Sequence, residues 1–239
     1  MIMKLIQLKQ VLDNKRFLLF TIFIPVAWYV FLYNIQQGIT PNIMLGIAVF
    51  IGIIGNSLAT FSKRISSNID FYSFESKFSK YTVKNYLLDQ TLVQLVLNTL
   101  IFIVVLAVGV LFFSFPLNSQ LVVQFFLLTI MGIYFSIIGF VIGVRLDEKI
   151  IDTVSFPVII LASMTIIPFA SLGAEGGFME FIGKAQMIFP GYYYTNIVNA
   201  LSSSTSIDVK DVALFIGVFI LNVIPLYFLV PKVKFATVK

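Results

Sequence analysis

No charged residue occurs between Phe17 and Ser62, and none occurs between Gln90 and Val144. These two stretches constrain the fold more than any other feature, because each far exceeds the ~20 apolar residues that cross a hydrocarbon core. Within them the apolar pattern breaks only at turn-forming residues, Gln36-Gln37-Gly38 in the first and Pro116-Leu117-Asn118-Ser119 in the second. A buried water-soluble core does not account for such runs. Only 11% of the chain is charged and its mean hydropathy is +1.00, whereas soluble domains carry about 25% charged residues.

The pattern predicts an all-α integral membrane protein, a single transmembrane domain over residues 1–239. Six transmembrane helices are expected at about 17–36, 43–62, 87–114, 120–144, 153–172 and 211–230, with the charged Arg145–Asp152 stretch linking the fourth to the fifth. Threaded this way, all but two of the sixteen Lys and Arg residues fall on one side. Lys4, Lys9, Lys15 and Arg16 precede the first span. Lys63, Arg64, Lys77, Lys80 and Lys84 lie between the second and third, Arg145 and Lys149 between the fourth and fifth, and Lys232, Lys234 and Lys239 follow the last. Lys184 and Lys210 lie opposite. Positive charge is retained inside, so both termini are expected in the cytoplasm of a bacterial plasma membrane. The net charge of +5 sits in short loops and forms no basic face, which argues against nucleic acid as a partner. The first apolar run is long, contains Pro25 and lacks a small-x-small cleavage site, so it reads as a retained span. Before it, Leu5, Leu8 and Leu12 recur at helical spacing. That segment fits a helix lying in the interface or a charged anchor for the first span.

Several chemistries are excluded. The chain has no cysteine and no histidine, hence no thiol nucleophile, no thiolate metal site and no side chain that titrates near neutrality without perturbation. The nearest lookalike of a phosphate-binding loop, Gly177 through Gly183-Lys184, has one residue too many and is followed by Ala185 where a hydroxyl should be. No carboxylate pair, zinc signature or nucleophile elbow appears, so no enzyme activity and no bound cofactor or metal is expected of this chain. Asp89, at the mouth of the third span, is the one carboxylate near a span interior. Proton-driven carriers rely on buried ionisable groups. Ion coupling through backbone carbonyls stays open, but the pattern favours an energy source outside the chain.

The third span carries Gln90, Gln94 and Asn98 at i, i+4 and i+8, flanked by Thr91, and the second carries Asn56, Ser57 and Thr60. Amides in lipid need partners. The stripe of Asn56, Gln90, Gln94 and Asn98 therefore either lines a translocation route or joins helices through hydrogen bonds. Gly132-x-x-x-Ser136 and Gly139-x-x-x-Gly143 in the fourth span allow close helix approach, within the chain or between copies. Pro25, Pro157, Pro168 and Pro225 interrupt spans and favour kinks.

Two connecting segments are unusually apolar. In the link after the second span, Phe71, Phe74 and Phe78 repeat at i, i+3 and i+7 among Asp70, Glu75, Lys77 and Lys80. This predicts a short cytoplasmic helix with an aromatic face for a partner's groove or for lipid headgroups. The outer segment 173–210 reads as two short helices broken at Pro190-Gly191, re-entering the outer leaflet before the last span, with Tyr192, Tyr193 and Tyr194 at the interface.

Taken together, the amphipathic start, the proline-bearing first span (Leu18-Leu19-Phe20 through Phe23-Ile24-Pro25), the charged loop after span two and Phe189-Pro190-Gly191-Tyr192-Tyr193 before the last span resemble the membrane subunit of ABC transporters of the type-2 exporter permease family. The resemblance covers nearly the whole chain and rests on architecture. The family's loop commonly ends in a Gly and a Thr-Pro-like turn, and this chain has Tyr81-Thr82-Val83-Lys84 there instead. The resemblance implies a second permease subunit, the same or related, and a cytoplasmic ABC ATPase dimer that binds ATP and Mg. It implies a coupling helix near Asp70–Lys80 in which Phe71, Phe74, Glu75, Phe78, Lys80 and Tyr81 meet the ATPase. It also implies export of a drug, antimicrobial peptide or lipid-like compound. A membrane immunity or sensor protein that binds a toxin without transport is the alternative, and an ion-coupled carrier ranks below it.

Overall fold

A computed structural model describes residues 15–35, 39–68, 83–167, 169, 176–203 and 205–229. Among these the regular structure is all helical. The first helix, α1, runs through Lys15–Leu18, a π-helical turn at Leu19–Phe23, and Ile24–Ile35. Pro25 sits just past that turn and has no N–H to give, so the wider winding falls where an α-helical bond is lost anyway. The second, α2, is Pro41–Asn68 with a π turn at Asn56–Phe61. Its Pro41 occupies the first turn, where no intrahelical N–H bond is needed. There follow α3 (Val83–Phe113), α4 (Gln120–Arg145), α5 (Glu148–Ser163), α6 (Gly177–Gln186), α7 (Pro190–Ser202) and α8 (Val209–Leu229). Pro157 lies inside α5 and Pro225 inside α8.

Among the described residues, four helices are long and apolar enough to cross a bilayer: α2, α3 from Asp89, α4 and α8. That is the make-up of an integral membrane protein. The apolar part of α1, Thr21–Ile35, is shorter, and α5 is shorter than the expected 153–172 span at its far end.

The bundle is built around α2. Every residue from Asn42 to Phe61 is buried, because α1, α3, α4, α5 and α7 all pack on this one helix. The helix farthest from this pattern is α8, which packs on α4 and α7. In α8 only Phe215 is buried, while Ile216, Ile220, Leu221, Ile224 and Phe228 are exposed. An apolar surface of that extent is stable against lipid and not against water.

Hydrogen bonds fix which helix ends are neighbours. At one end Arg145 Nε donates to the Leu229 carbonyl (2.6 Å), Ser66 Oγ to the Leu146 carbonyl (2.8 Å) and Lys63 Nζ to Asp152 Oδ2 (2.7 Å). At the other, Asn42 Nδ2 donates to Gln120 Oε1 (2.7 Å), Gln120 Nε2 to the Leu201 carbonyl (2.5 Å) and Gln124 Nε2 to the Asn42 carbonyl (2.7 Å). The first end carries Lys63, Arg64, Arg145 and Lys149. It is the charged end of the bundle.

α5 departs most from the expected pattern. Asp152 is level with Lys63, and the eleven residues on to Ser163 rise only about 16 Å, roughly half of a ~30 Å core. There α5 stops and α7 takes over, running to the opposite end, where Leu201 meets Gln120. The α6–α7 turn lies deep as well. Asn222 Nδ2 of α8 donates to the Ile188 carbonyl (2.9 Å), and the twelve residues from Lys210 to Asn222 cover about 18 Å. Thus α5 and α7 follow one another between the two ends of the bundle, with the break near the middle. The expected break at Pro190-Gly191 lies instead at Met187–Phe189, because Pro190 opens α7 at its first position, where a proline costs no hydrogen bond.

Candidate functional site: a polar seam and a helix break

The four lining candidates gather where α2 and α3 meet. Asn56 is 0% exposed, Gln90 and Gln94 1% and Asn98 4%. Asn56 Nδ2 donates to Asn98 Oδ1 (3.4 Å), and Gln94 Nε2 to Ser57 Oγ (3.3 Å) and Asn98 Oδ1 (3.4 Å). These bonds are long for N–H···O contacts. Asn56 Oδ1, Thr60 Oγ1, Gln94 Oε1 and Asn98 Nδ2 are buried without a hydrogen-bond partner. Such atoms cost about 1–3 kcal/mol each. The seam therefore has spare hydrogen-bonding capacity, unlike a fully satisfied clamp.

Its geometry follows from the π turn in α2 and the small residues of α4. The turn at Asn56–Phe61 loosens the carbonyl ladder, and Ser62 Oγ takes up the Leu58 carbonyl (2.5 Å). A Cβ on Gly139 would fall on the Ser57 carbonyl oxygen, one on Gly143 on the Ser62 carbonyl oxygen, and one on Gly132 on the Asn98 amide. The small residues thus serve packing within the chain, Gly139 and Gly143 seating α4 against α2 at the π turn and Gly132 seating it against Asn98 of α3. Ser136 turns onto its own helix, donating to the Gly132 carbonyl (2.6 Å).

A second polar group lies toward the other end of α2. Gln124 Nε2 also donates to the Tyr194 hydroxyl (3.2 Å), and a Cβ on Gly46 would meet that hydroxyl. The Tyr194 ring stacks on Phe50 with centroids 6.1 Å apart. Tyr194 is therefore a buried anchor of α7 and not an interfacial tyrosine. Tyr193 is buried too, its hydroxyl donating to the Met187 carbonyl (3.1 Å), while Tyr192 is half-buried.

The break between α5 and α7 exposes helix-end carbonyls, and side chains cover them. Gln186 Nε2 donates to the Met164 (2.6 Å) and Ile167 (2.9 Å) carbonyls, and Thr195 Oγ1 to the Ile166 carbonyl (2.9 Å). Gly191 lets α7 close on the Thr165 carbonyl. Sequence reasoning missed Gln186 and Thr195. The one available signal was an amide and a hydroxyl in an otherwise apolar segment.

Among the described residues the fully buried polar side chains are all neutral, and the Arg64 guanidinium, whose nitrogens are also buried, lies 5.2 Å over the Phe61 ring toward the charged end. The seam can accept a water or a neutral polar group, and it offers no group that would relay a proton. Asp89 is half-buried at the charged end of α3. The glycine-lysine lookalike at Gly177–Lys184 is helical and Lys184 pairs with Glu180 (2.8 Å), so it forms no phosphate cradle. Phe71, Phe74, Glu75, Phe78, Lys80 and Tyr81 lie outside the described residues, as do Pro168 and nearly all of the amphipathic start. Comparison with family models, curated proteins and solved structures gives no significant match.

Proposed function

We propose that the chain is the permease subunit of an ATP-driven ABC exporter, crossing the bacterial plasma membrane six times with both termini inside. In this reading α1 and the α5–α7 pair complete the crossings, and α6 and α7 form the outer re-entrant segment. The charged end of the bundle faces the cytoplasm, in keeping with retention of Lys and Arg inside. Two permeases and two ATPases assemble, and the permeases pass an amphipathic or hydrophobic compound outward.

The observation that carries this reading is the placement of α2. It is the helix on which the others pack, and it leads directly into the link with Phe71, Phe74 and Phe78. At 28 residues, α2 is about 42 Å long and so outruns the ~30 Å hydrocarbon core. α3, which enters from the other side of the link, is 31 residues long. A force on the link therefore reaches the central rod directly, and Lys63 passes it to α5 through Asp152 (2.7 Å) and Glu148 (3.7 Å). The neutral interior supports an external energy source over proton coupling.

The test is the double substitution Phe74→Ala and Phe78→Ala in the assembled complex. Substrate-stimulated ATP hydrolysis is expected to fall at least ten-fold with membrane insertion unchanged. Normal stimulation in that variant removes the docking role. If the purified chain binds a toxin while no ATPase co-purifies with it, the protein is an immunity or sensor protein instead.

A further inference from the structure

A groove of about 340 Å³ runs along the charged half of the bundle, within the ~300–1,000 Å³ range of sites that hold small molecules. Phe61 of α2 forms its floor, Ile133, Ile137 and Val141 of α4 one wall, and Val223 and Leu226 of α8 the other. α3 and α8 each pack on α4 with the groove between them, and Thr91 of α3 completes its lining. Its lining is almost wholly apolar, since Ser136 is spent on the Gly132 carbonyl. From Ile133 to Val141 it is about 12 Å long.

The groove has a charged end. Ile133, Ile137, Val141 and Arg145 stand at i, i+4, i+8 and i+12 on α4, one face of the helix. Arg145 reaches across from that wall to the other, its Nε donating to the Leu229 carbonyl two residues beyond Tyr227 (2.6 Å). The guanidinium is exposed, and among the described residues no carboxylate lies within ion-pair distance of it. A single bond through Nε leaves four further N–H donors in the fork that matches a phosphate. An apolar trough closed by one uncompensated cation at the membrane surface has the chemistry of an anionic amphiphile's site.

We propose that the groove holds an acyl chain of an anionic lipid drawn from the leaflet at the charged end, with the lipid phosphate on Arg145. The inference needs only the membrane placement of the bundle and is independent of any ATPase. The lipid would wedge α8 against the π turn of α2, with Phe61 between them. It would thereby couple leaflet composition to α8, a helix in which only Phe215 is buried.

The test uses the purified full-length chain and counts retained lipids by native mass spectrometry. Phosphatidylglycerol competes there with phosphatidylcholine of the same acyl chains. One phosphatidylglycerol is expected to be retained over phosphatidylcholine by roughly five-fold, the size expected for one cation near a membrane surface. Arg145→Gln should erase the preference while keeping chain retention. Ile137→Trp and Leu226→Trp, which fill the trough from either wall, should lose both lipids, and one correctly folded filler suffices by circular dichroism. The inference fails if the wild type shows no preference, if Arg145→Gln keeps it, or if a folded filler retains lipid like the wild type. Displacement by excess inorganic phosphate overturns it too, since only the headgroup would then be held. A filler that instead shifts the monomer–dimer balance assigns the groove to a second copy of the chain.

Discussion

At the scale of single residues, Gly139 is the tightest constraint. A Cβ there lands on the backbone oxygen of Ser57, and neither helix backbone can move aside without opening the seam. Gly139→Ala should destabilise the protein by about 1–3 kcal/mol, the usual result of overpacking. Gly217→Ala is the matched control, because a Cβ there meets open space, and its stability should be unchanged or raised by up to ~1 kcal/mol through helix propensity. Thermal unfolding in detergent distinguishes the two. The pairing of small residues at four-residue spacing was readable in advance, since it is a local signal with one physical use. Which helix it received was not readable, because α1, α2 and α3 present equally apolar candidates. Asn98→Leu addresses the polar stripe. It strips the acceptor from Asn56 and Gln94 and should cost about 1–3 kcal/mol. If the stripe instead lines a route, transport falls while the unfolding temperature holds.

At the scale of elements, the α5–α7 junction shows where hydropathy misleads. The chain stays apolar past Ser163 through Met164, Ile166 and Ile167, and the local stop signal is Pro168, which disfavours helix in the residue before it. Past the end of α5, Gln186 and Thr195, distant in sequence, supply donors to the Met164, Ile166 and Ile167 carbonyls and hold the non-helical segment in place. Such support is tertiary and leaves no periodic trace. Gln186→Leu should therefore destabilise by about 1–3 kcal/mol by leaving two buried acceptors bare. Gln186→Leu with Thr195→Val should cost less than the sum if α5 then rewinds past its present end, and unfolding measurements on the single and double variants give the coupling. The absence of cysteine from the chain also makes single-cysteine reporters clean. A cysteine at Lys210 should react with an impermeant reagent from outside intact cells and one at Lys149 only after permeabilisation. The reverse pattern overturns the orientation proposed above.

At the scale of the molecule, α2 is wrapped by helices that come both before and after it in the chain. Its sequence gave no warning. A helix against lipid and a helix against other apolar helices need the same side chains, because hydrocarbon tails are as apolar as leucine. Only Asn42, Asn56, Ser57 and Thr60 hint that α2 avoids lipid, and the partners of the first three, on α3 and α4, are synthesised later. During synthesis α2 must therefore dwell in the bilayer with those amides unsheltered. A truncated product ending after α4 would leave the Asn42 end of α2 without α7 and its Tyr194. Incomplete chains of this protein should accordingly be prime substrates for membrane quality-control proteases, and the last-made helices decide whether a nascent molecule survives.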